Sequence, residues 1–207
     1  PKTIAIHLGL FLLTIITTTL AGAEWMTGNF FLFVEKPLGF NDFLNGFNYS
    51  FPFLLALTFH EFGHYFAAKY YNLKVSLPYY IPIWLSGLSS FGTMGAFIKL
   101  MDKPISRKQY FDIGIAGPLA GFVIAIGVLW YGFTHLPPAN YIFTIHPEYE
   151  KLGADFAKTA YQKLEGQIYI GDNIIFWFFK NYVAEASLVP NSFEIMHYPY
   201  LLAGYLS

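Results

Sequence analysis

The sequence predicts an all-α polytopic membrane protein, a transmembrane helix bundle that holds one small membrane-embedded β-hairpin. Of its 207 residues 55% are hydrophobic and 21% aromatic, while only 12% are charged, against about 25% charged in an ordinary soluble domain. Three nearly charge-free runs, 4–23, 50–71 and 112–134, have roughly the 20 residues a helix needs to cross hydrocarbon. A further uncharged run within 75–100 is too broken by proline and glycine to be a spanning helix, and it supplies the hairpin.

Ile4 to Ala23 lacks the basic flank and small-residue cleavage pattern of a removable signal, so it reads as a retained first span. Glu24 to Asn48 mixes Gly, Asn, Pro37 and Asp42 with aromatic residues suited to an interface, and reads as a short polar connection. Ser50 to Tyr71 is the second span, with Pro52 in its first turn, where a missing amide donor does no harm. "VSLPYYIPIWLSGLSSFGTMGAFI", Val75 to Ile98, is interrupted by Pro78, Pro82, Gly87, Gly92 and Gly95 and rich in β-formers. It predicts two short strands around "SGLSSFG". Asp112 to Thr134 is the third span, bounded by Asp112 and by His135-Leu136-Pro137-Pro138. Along it Gly114, Gly117, Gly121 and Ala125 recur at helical spacing, so another helix can approach closely. Residues 135–196 form an extramembrane loop in which Ile174 to Val183, interrupted by Lys180, suits an interfacial helix. A partial span begins near residue 197. Its apolar stretch after Pro199 is too short to cross a bilayer, and with Pro1 at the start the chain, one transmembrane core over 1–207, reads as truncated at both ends and before its last spans.

Lys69, Lys74, Lys99, Lys103, Arg107 and Lys108 gather between the second and third spans, so the positive-inside rule sets the 72–111 segment on the cytoplasmic or equivalent side. A net charge of −1 without a basic face excludes nucleic acid as a partner and leaves the lipid bilayer. Cysteine is absent, which removes disulfides, thiolate metal sites and cysteine nucleophiles together, and leaves His, Asp and Glu as metal ligands. His7, His135, His146 and His197 lie near span ends or in loops and read as snorkelling, capping or surface residues. Asn173 and Asn191 have no assigned role.

"FHEFGHYFAAKY", Phe59 to Tyr70, is the exception to an otherwise apolar second span. His60-Glu61-Phe62-Gly63-His64 is H-E-x-x-H; on a helix the two histidines lie about 40° apart around the axis, so both rings reach one metal ion. Glu61 falls between them, near enough to take a proton from a water beside that ion. An acidic group at the centre of a span costs at least about 2.5 kcal/mol, so such groups are functional by default.

"HEFGHYFAA" in a span, "FGTMGAFIKL" followed by "SRKQYFDIGIAGPLAGF", and the late "MHYPYLLAGYLS" occur in the order seen in the site-2 protease family of intramembrane zinc metalloproteases (peptidase family M50). The chain resembles most closely the EGY-type branch, best over Phe47 to Gly121. The resemblance implies that His60 and His64 are Zn2+ ligands, that Glu61 is the general base, and that the hairpin lies beside them. It also implies a membrane-anchored protein substrate whose transmembrane helix is unwound and cut. Gly92, Thr93, Met94, Gly95, Ala96 and Phe97 are then expected to hold the unwound segment by strand addition, the alternative being that they simply plug the bundle. The family's third ligand, an aspartate in a motif resembling N-x-x-P-x-x-x-x-D-G, is expected beyond Ser207. Asp102 and Asp112, in or beside the basic loop, and Asp172, ahead of the interfacial helix, are poor substitutes.

The expected function is zinc-dependent intramembrane endopeptidase. Two rivals stay open. A membrane metal transporter would need polar residues at intervals along several spans, and the first and third spans have almost none. A catalytically inert scaffold for membrane helices would not need Glu61.

Overall fold

In the computed structural model, residues 2–88, 90–152, 156, 160 and 169–207 are described. Three long helices carry the architecture: α1 (Lys2–Thr27), α2 (Phe40–Tyr70) and α3 (Arg107–Thr134). Strands β1 (Tyr79–Pro82) and β2 (Thr93–Phe97) lie between α2 and α3, as the broken run predicts. After α3 come α4 (Tyr141–Ile145), α5 (Pro147–Glu150), α6 (Ile174–Tyr182), a 3-10 turn (Ile195–His197) and α7 (Pro199–Leu206). Helix α2 packs against α1 on one side and α3 on the other.

Helices α2 and α3 begin earlier than the hydropathy of the expected spans predicts, and capping is the reason. Asp42 Oδ2 accepts from the Gly39 amide at 2.8 Å, so α2 starts at Phe40 rather than near Ser50. The polar connection shrinks accordingly, and Pro52 sits in the helix interior instead of its first turn. The carbonyl that Pro52 leaves unpaired, that of Asn48, belongs to an exposed residue. Helix α2 closes where Asn72 turns left-handed (φ 57°), with the Leu73 amide donating to Ala68 O at 3.1 Å. Helix α3 starts at Arg107, five residues before Asp112. Ser106 Oγ accepts from the Gln109 amide at 3.2 Å, and Gln109 Oε1 from the Ile105 amide at 2.8 Å.

Among the described residues two helices are long and apolar enough to cross a membrane, Thr3–Thr27 and Arg107–Thr134, each with mean hydropathy 2.1. Helix α2 is not one of them, because His60, Glu61 and His64 dilute its apolar run. Outward-facing Ile4, Leu8 and Leu12 on α1 and Leu119, Val123 and Trp130 on α3 are exposed. Small residues let the long helices approach each other closely. Gly46 of α2 lies so near α1 that a Cβ there would meet Thr19 O at 2.1 Å. One turn on, Thr18 Oγ1 and Ser50 Oγ share a hydrogen bond of 2.6 Å.

The main core lies at the far end of the bundle from His60. Tyr49 and Phe53 of α2, Leu129 and Phe133 of α3, Phe176 and Phe179 of α6 and Leu201 and Leu202 of α7 form it. The segment expected as an interfacial helix is therefore anchored on one face by this core, while Ile174, Trp177, Phe178 and Tyr182 stay exposed. Asn173, unassigned from sequence, caps it by accepting from the Ile175 and Phe176 amides. Asn191 likewise acquires a local role, its Oδ1 accepting from the Phe193 amide at 3.1 Å. Parts of the 135–196 loop, 153–155, 157–159 and 161–168, lie outside the described residues.

The hairpin is antiparallel, with Tyr79 opposite Phe97 and Tyr80 opposite Ala96, and a bulge before Pro82 pairs with Thr93. Strand β1 rests on α1. His7, expected to snorkel or cap, is instead buried, its Nδ1 3.0 Å from Pro78 O and its ring against Tyr79. The hairpin tip is held by Glu24, which sequence reading placed in a polar connection. It lies in the last turns of α1, buried, and accepts from Ser86 Oγ (2.5 Å), Trp84 Nε1 (3.2 Å) and the Phe31 amide (3.2 Å). Charge-assisted bonds of this kind contribute about 1.5–3 kcal/mol each. Glu24→Ala is expected to lower the thermal midpoint markedly and to open the hairpin tip to proteolysis; an unchanged midpoint and cleavage pattern would refute the clasp.

Candidate metal centre

Helix α2 presents His60 and His64 on one face, one turn apart and half-buried. Their Nε2 atoms are 3.2 Å from each other, with ring centres 4.9 Å apart and planes at 72°. Two imidazole nitrogens bound tetrahedrally to one ion at about 2.0–2.1 Å would stand about 3.3 Å apart. The donor pair thus fits a zinc-like ion in both separation and chemistry.

Helix α3 orients the pair. His64 Nδ1 lies 2.6 Å from Ile113 O, so its hydrogen donates to that carbonyl and the Nε2 lone pair stays free. The rings fit because α3 has no side chain where they lie. A Cβ on Gly117 would stand 2.2 Å from His64 Nε2, and one on Gly121 would stand 3.1 Å from His60 Cβ. On α2 itself, Gly63 sits against the Ala116 carbonyl, where a Cβ would meet the oxygen at 2.4 Å. Sequence reading took Gly117 and Gly121 as helix-packing residues; their spacing marked the interface without revealing that it houses the imidazoles. Gly114, from the same pattern, faces open space.

Glu61 is buried on the flank of α2 that meets the hairpin. The Ile98 amide, just past β2, lies near its carboxylate. Tyr80 of β1 bonds through its hydroxyl to Thr58 Oγ1 at 2.8 Å, tying the hairpin to α2 two residues before His60. Neither Ile98 nor Tyr80 carries a local sequence signal for this role.

Among the described residues no group of three His, Cys, Asp or Glu converges to hold an ion. Three of the aspartates are engaged in other contacts: Asp102 accepts from the Lys74 amide, Asp112 from the Tyr71 hydroxyl, and Asp172 pairs with Lys180. Of the residues expected to meet a substrate, Gly92 and Thr93 are buried against α1 and β1. Gly92 has φ 83°, its carbonyl accepts from Thr17 Oγ1 at 2.6 Å, and a Cβ there would meet Thr18 Cα at 2.3 Å. Met94 and Phe97 are exposed, with Gly95 and Ala96 half-buried between them. Among the described residues strand β2 pairs with β1 alone, in a two-stranded sheet.

The family model described as peptidase family M50 matches residues 49–196. A rice protein (Oryza sativa subsp. indica) named "Probable zinc metalloprotease EGY2, chloroplastic" is 33% identical over 81 residues, 39% of this chain and 14% of its own length. An EGY1 protein of the same description from Arabidopsis thaliana is 37% identical over 76 residues, 37% of this chain and 13% of its own. A zinc metalloprotease of Methanocaldococcus jannaschii is 31% identical over 103 residues, covering 48% of this chain and 26% of that one. The chain thus spans only a small part of the curated relatives it matches. No solved structure matches it.

Proposed function

Because the chain belongs to peptidase family M50, the site-2 protease family with its EGY-type members, we propose that it is a zinc-dependent intramembrane endopeptidase. It would hydrolyse a peptide bond in or near the transmembrane helix of a membrane-anchored protein. The observation that carries this reading is the convergence of the His60 and His64 Nε2 atoms, 3.2 Å apart, beside a buried glutamate. In this reading the protein is multi-pass, α2 crosses the membrane with α1 and α3, and the 72–111 segment faces the cytoplasmic or equivalent side.

His60 and His64 would hold Zn2+ through Nε2, with the third ligand an aspartate outside these helices. When bound, zinc acidifies a water and polarises the scissile carbonyl. Glu61 takes the proton of the attacking water on its carboxylate and returns it to the leaving amine. The carboxylate is buried where α2 meets the hairpin, near the Ile98 amide. Strand addition along Met94 to Phe97 would keep the unwound substrate extended within reach of Glu61, because an extended backbone needs ladder partners when water is excluded. The buried Gly92 and Thr93 would shape the strand from behind.

Elemental analysis of the full-length protein, dialysed against metal-free buffer, tests the metal assignment. About one tightly held zinc per chain, lost in His64→Ala with helical content unchanged, is the expected result. Zinc retained in His64→Ala, or absent from the intact folded protein, would overturn it.

A further inference from the structure

A second pair of imidazoles meets at the opposite end of the bundle, about 20 Å along α2 from His60. His197, just before α7, was expected at the surface or an interface; it is buried, and its Nδ1 lies 2.8 Å from Trp25 O near the end of α1. His146, between α4 and α5, places its Nδ1 2.9 Å from Glu148 Oε1. The ring centres are 5.3 Å apart with planes at 70°. The first pair has a similar ring-centre distance and plane angle, 4.9 Å and 72°, and there the Nε2 atoms are 3.2 Å apart. Two imidazoles sharing a tetrahedral ion at about 2.0–2.1 Å put their ring centres about 5.2 Å apart.

Both rings border one small space over Gly28, where no side chain stands. A Cβ there would lie 3.4 Å from His197 Cε1 and 3.8 Å from both Cε1 and Nε2 of His146. Gly28 has φ 64°, a conformation that disfavours filling the space with a larger residue. Gly28 and His197 also line a cavity of about 150 Å3 with Ser90, whose Oγ is buried without a hydrogen-bond partner among the described residues.

We propose that His146 and His197 form a second metal site, binding one imidazole-seeking divalent ion such as Zn2+, with waters from the adjoining cavity completing its coordination. Each Nδ1 hydrogen is committed to an oxygen, one carbonyl and one carboxylate, which leaves the two Nε2 lone pairs without a proton to share. A hydrogen bond between the rings would require one of them to change tautomer and forfeit its Nδ1 bond. A cation satisfies both at once. Glu24, though it lines the same cavity, is committed to the hairpin through three hydrogen bonds, and the proposed site does not draw on it. The ion would staple the end of α1, the α4–α5 corner and the start of α7, segments far apart in sequence.

The test is equilibrium dialysis of Zn2+ into the full-length His60→Ala/His64→Ala variant, so its outcome does not depend on the first site and its failure leaves the protease reading untouched. About one zinc per chain is expected in this background, insensitive to excess Mg2+. His146→Ala, or His197→Asn, which keeps a donor for Trp25 O, should weaken binding more than tenfold. Glu148→Gln, which acts through the orientation of His146, should weaken it about tenfold. His146 is partly exposed, so its variant decides the matter should His197→Asn fail to fold. No zinc above the dialysis blank, or zinc indifferent to the change at His146, would overturn the proposal.

Discussion

Replacing Gly117 with alanine is expected to reduce peptide-bond cleavage about 100-fold or more while the helical content stays unchanged. The added Cβ would lie 2.2 Å from His64 Nε2 and 2.4 Å from its Cδ2 and Cε1. The ring has little freedom to yield. Its Nδ1 is bound to Ile113 O, one turn earlier on the same helix that would carry the new methyl. Either the ring rotates, losing that bond and turning Nε2 away from His60, or α3 moves off α2 along a face that also includes Gly63 and Gly121. Tightly held zinc should fall in parallel with activity. Gly114→Ala is the control, since a Cβ there meets nothing within 4 Å. Equal activity in the two alanine variants would refute the role given to the helix contact.

Glu61→Gln should lower cleavage by about 10²–10⁴-fold, the range for loss of a positioned general base. Tightly held zinc should be unchanged. The glutamine amide has nearly the shape of the carboxylate, and it leaves the His60 and His64 imidazoles untouched. Removing a buried charge from this position should leave stability the same or raise it. The paired measurement is cleavage of a membrane-anchored substrate and zinc content in one preparation. Loss of both together would make Glu61 a structural support, and retained activity would exclude it as the base.

His60, Glu61 and His64 were legible in the sequence because α-helical spacing sets their mutual placement: residues four apart share a face whatever the helix packs against. The hairpin was legible for the opposite reason, since Pro78, Pro82, Gly87, Gly92 and Gly95 forbid the helix that the run's apolar character would otherwise favour. Helix starts at Phe40 and Arg107 were misplaced because the span reading stopped at polar and charged residues, whereas a helix stops where its end amides lose their partners. Asp42 and Ser106 with Gln109 supply those partners.

What local pattern determined, then, was the composition suited to a membrane, the helix and strand periods, and a two-imidazole, one-carboxylate motif on a single helix. Only the tertiary structure decided that Ile113 O fixes the His64 tautomer, that Gly117 clears space for its ring, and that Ile98 reaches Glu61. It alone made Glu24 a clasp for the hairpin tip and drew His7 and His197 inward. These contacts join residues tens to more than a hundred positions apart. A side chain's period along its own helix says which way it points; what it meets there depends on how closely another helix or strand approaches.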